Sequence, residues 1–175
     1  WATFLLRNLL INSDFRDYFI NQSSFLLSTN LHTNNVKSLI EDFEDRYQSE
    51  MEYHFRERKK FQRRQGSMQT WREEVNELKF FALKRDDVLY DQIKDKFKLS
   101  HLYTLTINIE NHENGVVLIN RNEITTDQFV GRFFSGVDLP LRISPNLGYS
   151  YSGWDNNDIV NLDGDDVTLN ISFIK

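Results

Sequence analysis

The chain has 175 residues, 39% of them hydrophobic and 14% aromatic, with a formal net charge of −5. That length suits one domain or two small ones with a real core, and 14 Phe argue against a disordered chain. The absence of cysteine excludes a disulfide framework and a thiolate metal site, and no apolar run approaches the roughly 20 residues that span a bilayer.

The charge is unevenly spread. Residues 1–100 hold 17 Lys/Arg against 16 Asp/Glu, whereas residues 101–175 hold 4 against 10. Neither part has the basic excess of a dedicated nucleic-acid binder, so nucleic acid is not expected as a partner. The chain opens on Trp1-Ala2-Thr3-Phe4 rather than on a Met, and reads as a piece of something longer.

Phe4, Leu5, Leu6, Leu9 and Leu10 predict a short, very apolar helix. Asn12-Ser13 punctuates it, and Ser13 can cap a second helix on which Phe15, Tyr18, Phe19, Gln22, Phe25 and Leu26 recur at three and four. After the polar turn from Ser28 to Asn35, with Thr33 or Asn34 as a cap, comes a long pattern. Val36, Ile40, Phe43, Tyr47, Met51, His54 or Phe55, and Phe61 predict one helix from about 35 to 62, roughly 40 Å long, with room for a kink near Gln48-Ser49. Trp71, Val75, Leu78 and Ala82 line up on a further helix, and Thr70 with Glu73 has the spacing of a capping box. Arg85-Asp86-Asp87 interrupts that stripe, and Leu89, Ile93 and Phe97 begin another, which predicts two helices with a charged joint.

Candidate functional residues in this half are few. Six of the nine residues from Arg56 to Arg64 are basic: Arg56, Arg58, Lys59, Lys60, Arg63 and Arg64. They read as the solvated end of a helix, as a binding patch for an anionic substrate or nucleic acid, or as a contact for an acidic domain of the same protein. His54 has no second ligand at metal spacing and is expected as a packed or hydrogen-bonded core histidine. Glu41, Asp42, Glu44 and Asp45 are expected on an exposed face. No catalytic or metal-binding residue stands out.

Beyond position 100 the period changes to two. Thr104 to Ile109 alternates as a half-buried strand, Asn114-Gly115 signals a hairpin, and Val116 to Ile119 is the expected partner strand. Asn120-Arg121-Asn122 starts a turn, and Phe129–Phe134 and Val137–Ile143 are further strands, with Pro140 confined to an edge or a non-bonded position. Tyr149 and Tyr151 share a face. Trp154 joins them only if a bulge at Gly153 supplies one extra residue, which would tuck it into the core; an exposed aromatic platform for sugar or peptide is the alternative. Asp155, Asp158, Asp163, Asp165 and Asp166 flank a Gly-containing loop but lack the order of a calcium-binding EF-hand. Val167, Leu169, Ile171 and Phe173 form the last alternating strand.

Several segments together resemble the C-terminal part of the CotH-type (spore coat protein H) family of atypical kinases. Leu6-Arg7-Asn8-Leu9-Leu10 through Phe15, Phe19, Ile20 and Asn21 is similar to the family's "LL-x-N-x-x-F-x-x-x-F-I-N-R" run, with Gln22 in place of the final Arg. Glu50-Met51-x-x-His54 resembles "E-M-P-x-H", with Glu52 in place of Pro. Trp71, Val75, Leu78, Lys79, Phe81, Ala82 and Arg85 resemble the last helical pair. Gly115-Val116-Val117, Gly136-Val137-x-Leu139-Pro140 and Gly148-Tyr149-x-Tyr151-x-Gly153-Trp154 are similar to the small β domain that often follows.

The resemblance implies a parent protein that transfers phosphate from ATP to Ser/Thr of coat or cell-surface proteins, using ATP and Mg²⁺. It implies a place at the spore coat or the extracytoplasmic cell surface. The residues that hold nucleotide and metal in the family lie upstream, so the fragment itself is expected to hold no cofactor, to be inactive alone and to partner the missing kinase region. Other classes are a structural coat or surface protein, and a β module that binds glycan or protein. The fold expected is α+β: a helical bundle at 1–100, like the end of a kinase C-lobe, then a small antiparallel β-sandwich-like domain at 102–175, each with its own apolar interior.

Overall fold

The computed structural model describes residues 3–60, 66–154 and 166–175, the side chains of 58–60 and 152–154 excepted. Four helices come first: α1 (Phe4–Leu9), α2 (Ser13–Ser28), α3 (Thr33–Lys60) and α4 (Met68–Phe97). Strands follow: β1 (Leu102–Glu110), β2 (Gly115–Ile119), β3 (Asn122–Glu123), β4 (Gln128–Phe134), β5 (Leu141–Pro145), β6 (Ser150–Trp154) and β7 (Val167–Ile174). The class is α+β. The chain forms two compact units that do not divide at position 100. One is Asn30–Tyr90; the other joins the residues up to Thr29 with those from Asp91 onward.

In the unit Asn30–Tyr90, α3 and α4 each present one stripe inward. On α4 the inward positions are Trp71, Val75, Lys79, Ala82, Asp86 and Tyr90, while Leu78 is 55% exposed. The stripe therefore passes through two charged residues, and each has a partner on α3. Lys79 Nζ donates to Glu44 Oε2 at 2.6 Å, a bond that raises the Lys79 pKa above its ordinary value. Asp86 is 7% exposed, and its Oδ2 accepts from both the backbone N–H and the hydroxyl of Thr33, each at 2.9 Å. It thereby satisfies a donor that the first turn of α3 leaves without an intrahelical partner.

That bond corrects the expected charged joint. Arg85-Asp86-Asp87 does not break the helix, because Asp86 sits four residues from Ala82 and Tyr90 on the same face and is neutralised by hydrogen bonds from across it. Two caps also move. Asn12, not Ser13, caps α2 by accepting from Phe15 N–H at 2.9 Å, and Ser67 Oγ, not Thr70, accepts the Thr70 N–H at 3.1 Å as α4 starts. α3 runs through Gln48-Ser49 without a break in its helical hydrogen bonding.

In the other unit the strands make two sheets, ordered β4-β1-β7-β6 and β3-β2-β5. Inward residues of both, among them Leu105, Ile107, Val117, Ile119, Phe133, Leu169 and Ile171, share one interior, the arrangement of a sandwich. Two expectations are corrected. The domain is not wholly antiparallel, since β1 and β7 pair in parallel. Asn114-Gly115 is not a hairpin between β1 and β2. Asn111 takes φ 61°, a short 3-10 turn spans His112–Asn114, and β2 is delivered to the other sheet. The tight hairpin lies one strand later, where Asn120 (φ 47°) and Arg121 (φ 73°) both adopt positive φ between β2 and β3, the signature of a type I′ turn. The expected bulge on β6 is present: Tyr151 pairs with Phe173 and Trp154 with Ile171, leaving one extra residue between.

The interior is not built from strands alone, contrary to the expected separate cores. Phe25 of α2 is 8% exposed within it and stacks on Phe129, with centroids 5.6 Å apart and planes 7° from parallel. Polar bonds fix the same helix. Asn21 Nδ2 donates to the Asp138 carbonyl at 2.7 Å, Gln22 exchanges bonds with Asn122, and Asn120 Nδ2 donates to the Tyr18 carbonyl at 3.1 Å. Ser28 Oγ accepts from Arg132 N–H at 3.0 Å. α2 and the strands thus fold as one body.

These contacts generate three expectations. Asp86→Ala should lower stability in urea by about 2 kcal/mol, the sum of a lost cap and an orphaned Thr33 donor, whereas Glu74→Ala on the outer face of α4 should stay within roughly 0.5 kcal/mol. A Cβ on Gly115 would fall inside the Phe173 ring, so Gly115→Ala should cost about 1–3 kcal/mol, and less in a Phe173→Leu background, read by the same titration. The third concerns acid. The His112 N–H bond to Asp127 and the Thr104 N–H bond to Asp166 hold both carboxyls below their ordinary range. A lowered native pKa means that the unfolded chain takes up these protons first as pH falls. The stabilisation is therefore complete above the unfolded value and disappears as pH drops through the native one. Thermal melts of the Asp127→Asn, Asp166→Asn double variant should show a shallower acid limb below about pH 4 than the parent; an unchanged limb would remove these carboxylates from the account.

Candidate functional site

The basic run ends α3. Of its six residues Arg56 alone has a described side chain. Its guanidinium lies 5.4 Å from the Tyr53 ring centroid, and Nε is 3.9 Å from Glu57 Oε1 with the arginine side chain 70% exposed. Arg58, Lys59 and Lys60 continue the helical backbone, but their side chains, and all of Arg63 and Arg64, lie outside the described residues. Arg56 is thus engaged by its own helix, in the manner of a solvated helix end.

His54 is exposed, which corrects the expectation of a core histidine. Phe55 takes the inward position four residues after Met51, and the His54 ring meets its edge with centroids 5.4 Å apart. Phe43 and Tyr47, expected on the buried stripe, are 44% and 51% exposed and stack on each other at 6.0 Å. Glu41, Asp42 and Asp45 are exposed, and Glu44 turns partly inward to Lys79. The Trp154 side chain and Asp155, Asp158, Asp163 and Asp165 lie outside the described residues. Asp166, the last of that series, is used to bind Thr104 N–H at 2.9 Å.

The α2–strand unit carries a cleft of about 660 Å³, within the range of ligand-binding clefts. Asp14, Asp17 and Tyr18 line it from the first turns of α2; Arg121 comes from the β2–β3 turn, Leu118 and Arg142 from a cross-strand pair on β2 and β5, and Asp138, Pro140 and Leu141 from the approach to β5. Its frame is held from beneath. Asn120, 2% exposed, donates to the Tyr18 carbonyl and to Gln22 Oε1, and Asn21 ties Asp138 to α2. The Arg121 guanidinium lies 5.3 Å from the Tyr18 ring centroid. None of these charged residues stands out in the sequence, because they come from three separate stretches. The one visible sign was Asn120-Arg121-Asn122 marked as a turn.

Among the described residues, no three His, Cys, Asp or Glu side chains gather as a metal-binding group. Among the described residues no helix is long and apolar enough to cross a membrane.

The family model described as "CotH kinase protein" matches residues 1–89, just over half of the 175-residue chain. No curated protein and no solved structure gives a match. The matched stretch takes in α1, α2, α3 and most of α4, the same helices whose Leu-, Phe- and Trp-bearing segments carried the resemblance in the sequence. The chain belongs to the CotH kinase protein family.

Proposed function

We propose that this chain is the C-terminal part of a CotH-type protein kinase that phosphorylates Ser/Thr of coat or cell-surface proteins, and that it contributes scaffold rather than catalytic groups. The observation that carries this reading is the family match across the helical residues 1–89. The chemistry assigns the division of labour. Phosphoryl transfer is mostly positioning and charge neutralisation: a lysine on the phosphates, carboxylates on Mg²⁺ and an acceptor for the hydroxyl proton.

The described residues do not fit an Mg²⁺–ATP site. Asp86 is consumed as the cap of α3, and among the described residues no three His, Cys, Asp or Glu side chains gather as a metal-binding group. The nucleotide and metal groups belong to polypeptide outside this chain, which is the chain's first partner, and the setting is the spore coat or the extracytoplasmic surface.

The test is phosphate transfer from radiolabelled ATP with Mg²⁺. The isolated chain should incorporate no label into a coat-protein or casein substrate, and its melting temperature should not move with Mg²⁺–ATP. The full polypeptide encoded by the same gene should transfer phosphate. Transfer by the isolated chain would overturn the scaffold assignment. A full polypeptide inert under the same conditions would overturn the kinase reading and leave a structural coat or surface protein.

A further inference from the structure

We infer that the cleft between α2 and the β2–β5 pair is a binding site for an extended polypeptide segment that carries basic and acidic side chains together. The α2 wall presents Asp14 and Asp17, and the strand wall presents Arg121 and Arg142, with Asp138 beside them at the approach to β5. Charges of opposite sign line the two walls, and among the described residues no ion pair crosses the cleft. Asp17 instead lies 3.5 Å from Arg16 Nε on its own helix, Asp14 accepts from Ser13 Oγ at 3.4 Å, and neither Arg121 nor Arg142 has a carboxylate partner.

Amide hydrogen bonds fix the two walls to one another. Asn120, Gln22 and Asn122 hold the β2–β3 turn to α2, and Asn21 holds the Asp138 backbone. The separation of charge is therefore built in, and a ligand bearing both signs completes it with little reorganisation.

The remaining surface narrows the ligand class. Leu118, Pro140, Leu141 and the Tyr18 ring supply an apolar floor suited to side-chain methylenes. Arg121 lies against Tyr18, which leaves the N–H edge of its guanidinium open for a carboxylate in plane. A nucleic acid or a polyanion would satisfy the arginines but face Asp14, Asp17 and Asp138, and a purely basic peptide would face the arginines. A metal is not called for, since the three aspartates do not converge as a ligand group. A sugar would need the Tyr18 face that Arg121 occupies. Charge complementarity thus selects a mixed-charge peptide. The proposal stands apart from the kinase reading, because it is argued from the charges of the cleft and not from the family match.

The experiment uses the whole 175-residue chain and three fluorescein-labelled peptides of equal length, with the repeats Lys-Ser-Glu-Ser, Lys-Ser-Lys-Ser and Glu-Ser-Glu-Ser. Fluorescence anisotropy at near-physiological salt should show the mixed peptide binding at least about fivefold more tightly than either single-sign peptide. Arg142→Glu and Asp14→Lys, both on exposed positions and checked for native circular dichroism, should each weaken the mixed peptide about five- to tenfold. Arg142→Glu should also improve binding of the basic peptide, which a mere loss of structure would not do. Equal binding of all three peptides, preference for a single-sign peptide, or mixed-peptide binding unchanged in both variants would each overturn the proposal. The assay contains no ATP, so its failure and the failure of the kinase reading are separate results.

Discussion

The α2–strand unit depends on a set of buried amides. Asn21 and Asn120 are 1% and 2% exposed, and with Gln22 and Asn122 they join one face of α2 to the β2–β3 turn. Buried amides are costly when unpaired, so this face of α2 tolerates few alternatives to its observed seat. The turn needs the helix as much as the helix needs the turn. Asn120 and Arg121 hold positive φ, a conformation that Asn accepts more readily than most residues and that local hydrogen bonding must maintain. Phe25 then adds the apolar part of the contact by reaching the sandwich interior. A helix that composition alone would group with its helical neighbours is built into the β core.

The Asn30–Tyr90 unit solves a different problem. Its two long helices are strongly charged, and the inward stripe of α4 contains Lys79 and Asp86 between Val75, Ala82 and Tyr90. Each charge is matched by a group on α3, a carboxylate for Lys79 and the donor-rich first turn of the helix for Asp86. Removing either partner would leave a charge half-buried and unanswered, whereas the intact pairs fix the register of α4 on α3. Polar contacts of this kind favour one register over the slips that a purely apolar stripe permits.

How much of this could be read from the chain follows from the range over which each signal acts. The first three helices, the alternation of β1 and β7 and the bulge on β6 are local patterns, and each was visible as such, whereas α4 read as two helices. The chain reversals were less legible. Asn114-Gly115 is a strong hairpin pair, but the positive φ falls at Asn111, and the bulk of Phe173 rather than a turn requires glycine at 115. Asp86 looked like a break because a charge usually faces water; only Thr33, 53 positions away, makes it an interior residue. The cleft was invisible for the same reason, since α2, the β2–β3 turn and β5 are brought together by long-range hydrogen bonds and packing. Of the basic run that the sequence did offer, Arg56 turns back onto Tyr53 and Glu57.

Apolar exposure is just as unevenly distributed, and it bears on what the family-matched residues do. Among the described residues 19 large hydrophobic side chains are exposed, and all but Val130, Leu147 and Ile174 lie within 1–89. No residue of α1 is buried, and Phe80 and Phe81 on α4 are 52% and 59% exposed under Lys84 and Arg85. Scattered exposed hydrophobics are ordinary, but such a concentration in one stretch is not. The strand region buries its own apolar residues and shows a cleft whose walls are charged. The family-matched helices leave mainly apolar surface uncovered, whereas the cleft that α2 shares with the strands leaves ionic groups uncovered, so α2 carries both kinds of surface.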